Sequence, residues 1–481
     1  MSILLVLALQ GALAFLYSFS YVQAMTKDLT QGKPFSLILG FSVPLLFGYL
    51  FQQFYNIVDT VIVGQFLGKE ALAAVGSTGS VNFLILGFCI GVCSGFSIPI
   101  ANKFGAKDFN TMRQLVASSA ELSAVFSVLF AILTVAFCKP LLVLMRTPEN
   151  ILDYAANYIR IIFAGIPVVF LYNILAGILR AVGDSRTPLL FLVFSSVLNI
   201  ALDLLFILVF KLGVEGAAYA TVLAQFVSGI SCLFYMIKKF EIIHLKRSDW
   251  KIRTNLFVKL VGTGFPMGIQ YSITTIGSVI LQTSINTLGS DAVAAVTAGA
   301  KTHIFFCCPF DALGTTMATW AGQNTGAGKL LRIKKGLYQS SLIGLIYSIA
   351  AFFILYMFGK DLGLLFVSAD ETEILDMVQF FLISNALFYF PLTLVNVIRF
   401  CIQGMGYSRL AVLAGLFELI GRALIAIFFV PHFGFKAACF ASPTAWILAD
   451  IFLIIAFFLC YRNLEEKEMQ FRAGFAETRD D

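Results

Sequence analysis

The chain is expected to be an all-α membrane protein: twelve transmembrane helices in two six-helix bundles related by a pseudo-twofold axis, preceded by an extra apolar segment at the N-terminus. Three observations predict this. Hydrophobic residues make up 59% of the 481 and charged residues 12%, with a mean hydropathy of +0.89, whereas soluble domains carry about 25% charge. Apolar runs of about 20 residues, the length that crosses a bilayer as a helix, recur along nearly the whole chain. The sequence also repeats itself once, at a fixed offset. The alternating ten-residue segments that mark membrane barrels are absent.

The apolar runs place helices near 34–66, 71–100, 113–138, 151–179, 187–210, 214–238, 256–288, 292–320, 334–359, 374–404, 408–430 and 435–461. Their connections alternate in charge. One set is basic: Lys103, Lys107 and Arg113; Arg180 and Arg186; Lys238 through Arg253; Lys329, Arg332, Lys334 and Lys335; and Arg409. The other set mixes Lys69, Lys139, Arg146, Lys211 and Lys436 with acids such as Asp361, Asp370, Glu371 and Glu373. The basic set is therefore expected on the cytoplasmic side, with the C-terminus of the chain. The net charge of +6 then faces the anionic inner leaflet of the cell (inner) membrane. With no basic tract interleaved with aromatics, nucleic acid is not an expected partner. The nine cysteines lie in or beside apolar runs, without metal-ligand spacing, and read as small packing residues.

The repeat sets the domains. LGKEALAAVGS at 67–77 matches LGSDAVAAVTA at 288–298, and IANKFGAK at 100–107 falls opposite WAGQNTGAG at 320–328. RAVGDSR at 180–186 matches QGMGYSR at 403–409, and LGVEGAAYA at 212–220 matches FGFKAACFA at 433–441. Each half has an even number of helices, so both enter from one side, and the pseudo-twofold axis runs along the membrane normal with a cavity between the bundles. The expected divisions are an apolar extension and cytoplasmic lead-in (1–33), the first bundle (34–238), a linker (239–255), the second bundle (256–461) and a polar, frayed cytoplasmic tail (462–481). Residues 1–24 are uncharged and lack the basic start and cleavage site of a signal peptide. Met25-Thr-Lys-Asp resembles a more ordinary beginning.

LNIALDLLFIL at 198–208 keeps Asn199 and Asp203 inside an apolar run. A charge at a helix centre costs about 2.5–3.5 kcal/mol on insertion scales, so such a residue normally faces a partner or a cavity. Asn199 and Asp203, four residues apart, share one face of helix 5. In helix 1, Gln52, Asn56 and Asp59 form a stripe beside Tyr55, and Thr221 lies in helix 6. At 1.5 Å rise per residue, Asp203 lies about 9 Å, Thr221 about 10 Å and Asp59 about 12 Å below the outer face. Three helices thus bring oxygen ligands to one depth. Two carboxylates, an amide oxygen and a hydroxyl suit Na⁺, and a close pair of carboxylates also suits a proton. Asn173 joins Gln52, Tyr55 and Asn56 as supporting polar groups. The bland alternative, in which each group bonds a neighbouring helix, accounts well for Thr221 alone and poorly for two aspartates together. Pro44 is a candidate hinge in helix 1 because it removes a backbone hydrogen bond.

The second half does not duplicate this set: Ile280 falls opposite Asp59, and Arg422 and Ala426 fall opposite Asn199 and Asp203. Its own polar residues, His303, Asp311, Glu418 and Arg422, are candidates for a cavity lining. Glu418 and Arg422, at i and i+4, also read as a structural ion pair, and a lone membrane histidine as a hydrogen-bonded packing residue.

Taken together, YNIVDTVIVGQFLGKEALAAVG, GILRAVGDSRTP, LNIALD, GVEGAAYATVLAQ and AGQNTGAG resemble the multidrug and toxic compound extrusion (MATE) family over about 34–461. The DinF-like group is the more similar, with an aspartate in helix 1, an Asn-x-x-x-Asp pair in helix 5 and a threonine in helix 6, which map onto Asp59, Asn199, Asp203 and Thr221. The resemblance implies secondary active efflux of amphipathic or cationic drug-like compounds in exchange for H⁺ or Na⁺, by two lobes rocking between outward-open and inward-open states. A monomer with no cofactor beyond the coupling ion is expected. A lipid-linked oligosaccharide or polysaccharide flippase of the same superfamily is the alternative, with Lys301, Arg399 and Arg422 as its candidate pyrophosphate ligands. An enzyme is not expected, since three scattered histidines form no metal or nucleophile cluster. Nor is an ATP-driven pump: GQNTGAGKL has five residues between its glycines and Leu330 where a phosphate loop needs Ser or Thr. A channel would ring an axis with its acids, whereas both aspartates fall in one lobe.

Overall fold

A computed structural model describes residues 26–145 and 147–477. The apolar segment 1–24, Met25, Arg146 and residues 478–481 lie outside the described residues. The described chain contains helices and no strand. In order they are α1 (Pro34–Gly105), α2 (Phe109–Leu144), α3 (Glu149–Ala164), α4 (Ile166–Ala181), α5 (Arg186–Leu204), α6 (Gly213–Lys239), α7 (Thr254–Asn286), α8 (Ser290–Gly326), α9 (Leu330–Gly363), α10 (Thr372–Ala386), α11 (Tyr389–Gly404), α12 (Ser408–Leu424), α13 (Val430–Cys439) and α14 (Ala441–Glu477). Among the described residues, eight helices are long and apolar enough to cross a membrane, or ten with the bent pairs α3–α4 (45°) and α10–α11 (48°) each taken as one span. The 72-residue α1 is two such lengths joined at Gly68, the non-helical residue within it (φ 84°). Its continuity replaces the loop expected at 67–70. The hydroxyl-rich α7 is not among the eight but has the length of a span. The arrangement is consistent with twelve.

The repeat is visible in the backbone. Positive φ angles recur in pairs: Gly68 and Gly289, Lys107 and Gly328, Gly183 and Gly406, Gly213 and Gly434. A π-helical turn follows α5 at Leu205–Val209 and α12 at Ile425–Phe429. Two stretches that differ in most side chains therefore share their turns, because a positive φ is a demand on the backbone, which glycine meets without steric penalty at seven of these eight positions. The RAVGDSR turn shows the local chemistry. Asp184 accepts from Arg186 N (2.9 Å), Thr187 N (3.0 Å) and Thr187 Oγ1 (2.6 Å), satisfying donors at the start of α5. Burial pushes its carboxyl above the usual carboxylate range, against the pull of those three bonds.

The chain forms two compact units, and their boundaries differ from those expected at 34–238 and 256–461. The first unit takes Phe47–Ile100 and Asp108–Gly268; the second takes Asp28–Leu46, Ala101–Lys107 and the described chain from Ile269 onward. In the first, α7 up to Gly268 packs backbone to backbone on the second arm of α1. A Cβ added at Gly91 would lie 2.7 Å from Met267 O, and one at Gly95 would strike the Gly264 Cα. Phe265 extends this contact into a ring cluster with Phe88 (5.9 Å) and Phe126 (5.1 Å).

In the second unit, the lead-in before α1 is tied to the ends of α8 and α9. Leu29 N donates to Gln323 Oε1 (2.9 Å), Arg332 Nη2 to Leu29 O (3.0 Å) and Lys329 Nζ to Thr30 O (2.9 Å). Gly105 lies against Gln323 and Gly326 against Asn102, an exchange between positions that the repeat makes equivalent. Small-residue contacts of this kind let helix backbones approach where a side chain would hold them apart. The tail also departs from expectation: α14 stays helical to Glu477, held by Arg462–Glu466 (2.9 Å), Lys334–Glu465 (3.7 Å) and Tyr407 OH donating to Asn463 Oδ1 (2.8 Å).

Candidate functional site

In the first unit α1, α5 and α6 bring the four main sequence candidates together. Asn199 and Asp203 are buried, Asp203 completely, on the α5 face that packs on α6. With its amide oriented to satisfy both neighbours, Asn199 Nδ2 donates to Asp203 Oδ2 (3.0 Å), while its Oδ1 accepts from Thr221 Oγ1 (3.2 Å) and Thr221 N (3.1 Å). Asp59 reaches in from α1, and its carboxyl lies within hydrogen-bonding reach of that of Asp203. Tyr55, one turn before Asp59, lies close to Thr221 and Asp59. Among the described residues, Asp59 Oδ1 and Asp203 Oδ1 are buried without a hydrogen-bond partner. The π-turn Leu205–Val209 begins two residues after Asp203, and such turns are frequent at functional sites.

The other candidates are placed differently. Gln52 is half-buried and Asn56 exposed; among the described residues neither is hydrogen-bonded to the four. Asn173 donates to Val169 O of its own helix (2.8 Å), so it braces α4 locally. Pro44 keeps helical backbone angles and lies just before Leu46–Phe47, where α1 passes from one unit to the other. Tyr158 of α3 is a member that the sequence reading missed: it is buried and close enough to Asp59, Tyr55 and Asp203 to feel their charge. The signal was available, because a helix entering near Ile151 puts Tyr158 about 10 Å down, at the depth of Thr221.

Chemically, the site offers two carboxylates with unfilled oxygens, an amide oxygen and a hydroxyl, all hard ligands. These fit a small cation such as Na⁺ as cargo, and the facing carboxyls fit a shared proton. Among the described residues no cluster of three His, Cys, Asp or Glu side chains stands ready for a transition metal.

In the second unit, Glu418 is bridged on both oxygens, by Arg399 Nη1 (2.8 Å) and Arg422 Nη2 (3.2 Å). The expected Glu418–Arg422 pair is therefore one side of a triad, all three buried. His303 uses both ring nitrogens, with Tyr389 OH (2.9 Å) and Cys307 Sγ (3.2 Å), and stacks on Trp446. It packs as a hydrogen-bonded core residue. Asp311 is exposed.

These features define a polytopic α-helical membrane protein built from two related units, one of which buries a carboxylate pair with polar ligands around it. The chain belongs to the MatE family, whose family model matches residues 44–205 and 266–428, one stretch in each repeat. It is 31% identical over 345 residues to the probable multidrug resistance protein YpnP of Bacillus subtilis (strain 168), covering 72% of this chain and 77% of that protein. It is 32% identical over 343 residues to the probable multidrug resistance protein YoeA of the same organism, covering 69% and 73%. A solved structure, the outward-facing conformation of a multidrug resistance MATE family transporter of the MOP superfamily, shares the fold, with a TM-score of 0.86 at 23% identity over 92% of this chain and all of that one.

Proposed function

We propose that the protein exports amphipathic or cationic organic compounds in exchange for H⁺ or Na⁺, with Asp59, Asn199, Asp203 and Thr221 as the coupling site. The observation that carries this reading is the meeting of the Asp59 and Asp203 carboxyls, each with a buried unfilled oxygen, beside the Asn199–Thr221 bond. Two adjacent carboxylates repel when empty and are relieved by one positive charge, so occupancy changes how α1 packs on α5. An ion drives substrate movement only if it binds the two transport states differently, and a site joined across α1 and α5 supplies such a difference. The relatives named for multidrug resistance support export, and the DinF-like pattern supports placing the coupling ion in the first unit. The chain then works as a monomer in the inner membrane with its C-terminus cytoplasmic, by rocking alternating access.

The flippase reading loses support from the second unit. Arg399 and Arg422, two of its three candidate cations, are engaged by Glu418. The deciding experiment uses purified protein in liposomes loaded with a fluorescent lipophilic cation. Imposed pH and sodium gradients are applied separately, and efflux that responds to neither gradient overturns the antiport assignment.

A further inference from the structure

The second unit buries more ionisable groups than its triad needs. Asp450 of α14 is 7% exposed and sits in an apolar run, LADIFLI. Gly421 explains how the helix of Asp450 comes close to the one that carries Glu418 and Arg422. A Cβ at that position would lie 2.7 Å from the Ala445 Cα, so α12 and α14 touch backbone to backbone there. Three residues before Gly421 on α12 and five after Ala445 on α14, Glu418 and Asp450 come within reach of each other's charge. Arg399 of α11 also acts on Asp450. Arg422, on the other oxygen of Glu418, completes the set. On the far side, Asp311 of α8 feels Arg399, and His303 of α8 feels Arg422.

The hydrogen bonds do not close. Among the described residues, Asp450 Oδ1, Arg399 Nε and Arg422 Nη1 are all buried without a partner. An unfilled acceptor and two unfilled donors in one desolvated cluster are costly, the more so where the group is charged, unless a second state of the cluster uses them. Glu418 is committed to two guanidiniums, whereas Asp450 keeps an unpartnered carboxylate oxygen.

We propose that Asp450 is a proton-exchange site, distinct from the Asp59–Asp203 cluster, whose carboxylate takes one proton from water and returns it to water. Protonated, Asp450 is neutral and Arg399 Nε stays unpaired, as in the arrangement described. Ionised, its Oδ1 accepts from Arg399 Nε and the four charges of Arg399, Glu418, Arg422 and Asp450 balance. A metal cation is the wrong occupant, because two guanidiniums already hold the positive charge here and would repel it. A proton only neutralises the one carboxylate they leave unmatched. The first unit cannot supply this chemistry in the same way: at the offset of 221 that aligns LGVEGAAYA with FGFKAACFA, the position equivalent to Asp450 is Gly229, which has no side chain to ionise.

The test reads the proton directly and needs no transport. In the full-length D59N/D203N variant, infrared difference spectra across the neutral pH range should show a protonated-carboxylic C=O band that titrates. Adding Asp450→Asn should remove it. If that triple variant does not fold, Asp450→Glu in the same background should keep the band and shift its frequency. No titrating band in D59N/D203N, or a band indifferent to both changes at 450, overturns the proposal. Neither result touches the role proposed for Asp59 and Asp203, which gradient-driven efflux tests separately.

Discussion

Replacing Asp203 by asparagine removes one charge and keeps the shape. At a separation of about 4 Å and an effective dielectric of about 20, two carboxylates repel by about 4 kcal/mol. That repulsion is what a bound cation relieves, and it corresponds to a factor of about 1000 in the affinity of the pair for one positive charge. The amide oxygen of the D203N side chain can still accept from Asn199 Nδ2, as Asp203 Oδ2 does at 3.0 Å, so the α5–α6 contact survives and the protein should purify normally. Asp59 then stands alone and has no partner charge to escape. In proteoliposomes carrying a lipophilic cation, gradient-driven efflux by D203N should fall to the rate seen without a gradient, while binding of the same dye to detergent-solubilised protein persists. A D203N protein that responds to the gradient as wild type does would show that the buried pair is not the coupling site.

Asp59→Asn should have the same effect as D203N, and the double variant should be no worse than either single one, because both remove one interaction; additive losses would point to separate roles. Thr221→Ala deletes a ligand and the bond to Asn199; ion-dependent efflux should need roughly tenfold more coupling ion at half-maximum, about one hydrogen bond's worth, with an unchanged maximal rate. Gly68→Ala meets no atom within 4 Å, so its whole cost is backbone strain at φ 84°, on the order of 1–3 kcal/mol, read as a lower melting temperature in detergent; an unchanged melting curve would mean that the join in α1 relaxes. Glu418→Gln leaves Arg399 and Arg422 buried and unmatched, and should cost about 3–5 kcal/mol, seen as loss of monodisperse protein that the triple change to apolar residues restores in part.

Much of this protein was legible before any fold was known. Spans, repeat and site depth all follow from one-dimensional spacing: 1.5 Å per residue against a fixed hydrocarbon thickness. That arithmetic located Asp59, Asn199, Asp203 and Thr221 at one level on three helices, and the same arithmetic applied to helix 4 would have included Tyr158. Depth carries no information about azimuth, however. It could not show that Asn173 turns back onto Val169, that Asn56 is exposed, or that Asp59 meets Asp203 while Gln52 stays outside their hydrogen bonds. Nor could the linear repeat show that the units exchange segments at Leu46–Phe47 and Gly268. That exchange depends on glycines from distant segments, such as Gly95 and Gly264, letting backbones touch. Sequence by itself determined the solvent and the internal duplication, since each is set by hydrophobicity and spacing along one chain. Only tertiary structure decided which charges share a pocket, because that depends on how each helix is rotated about its axis, and rotation is set by side-chain packing between segments far apart in the chain.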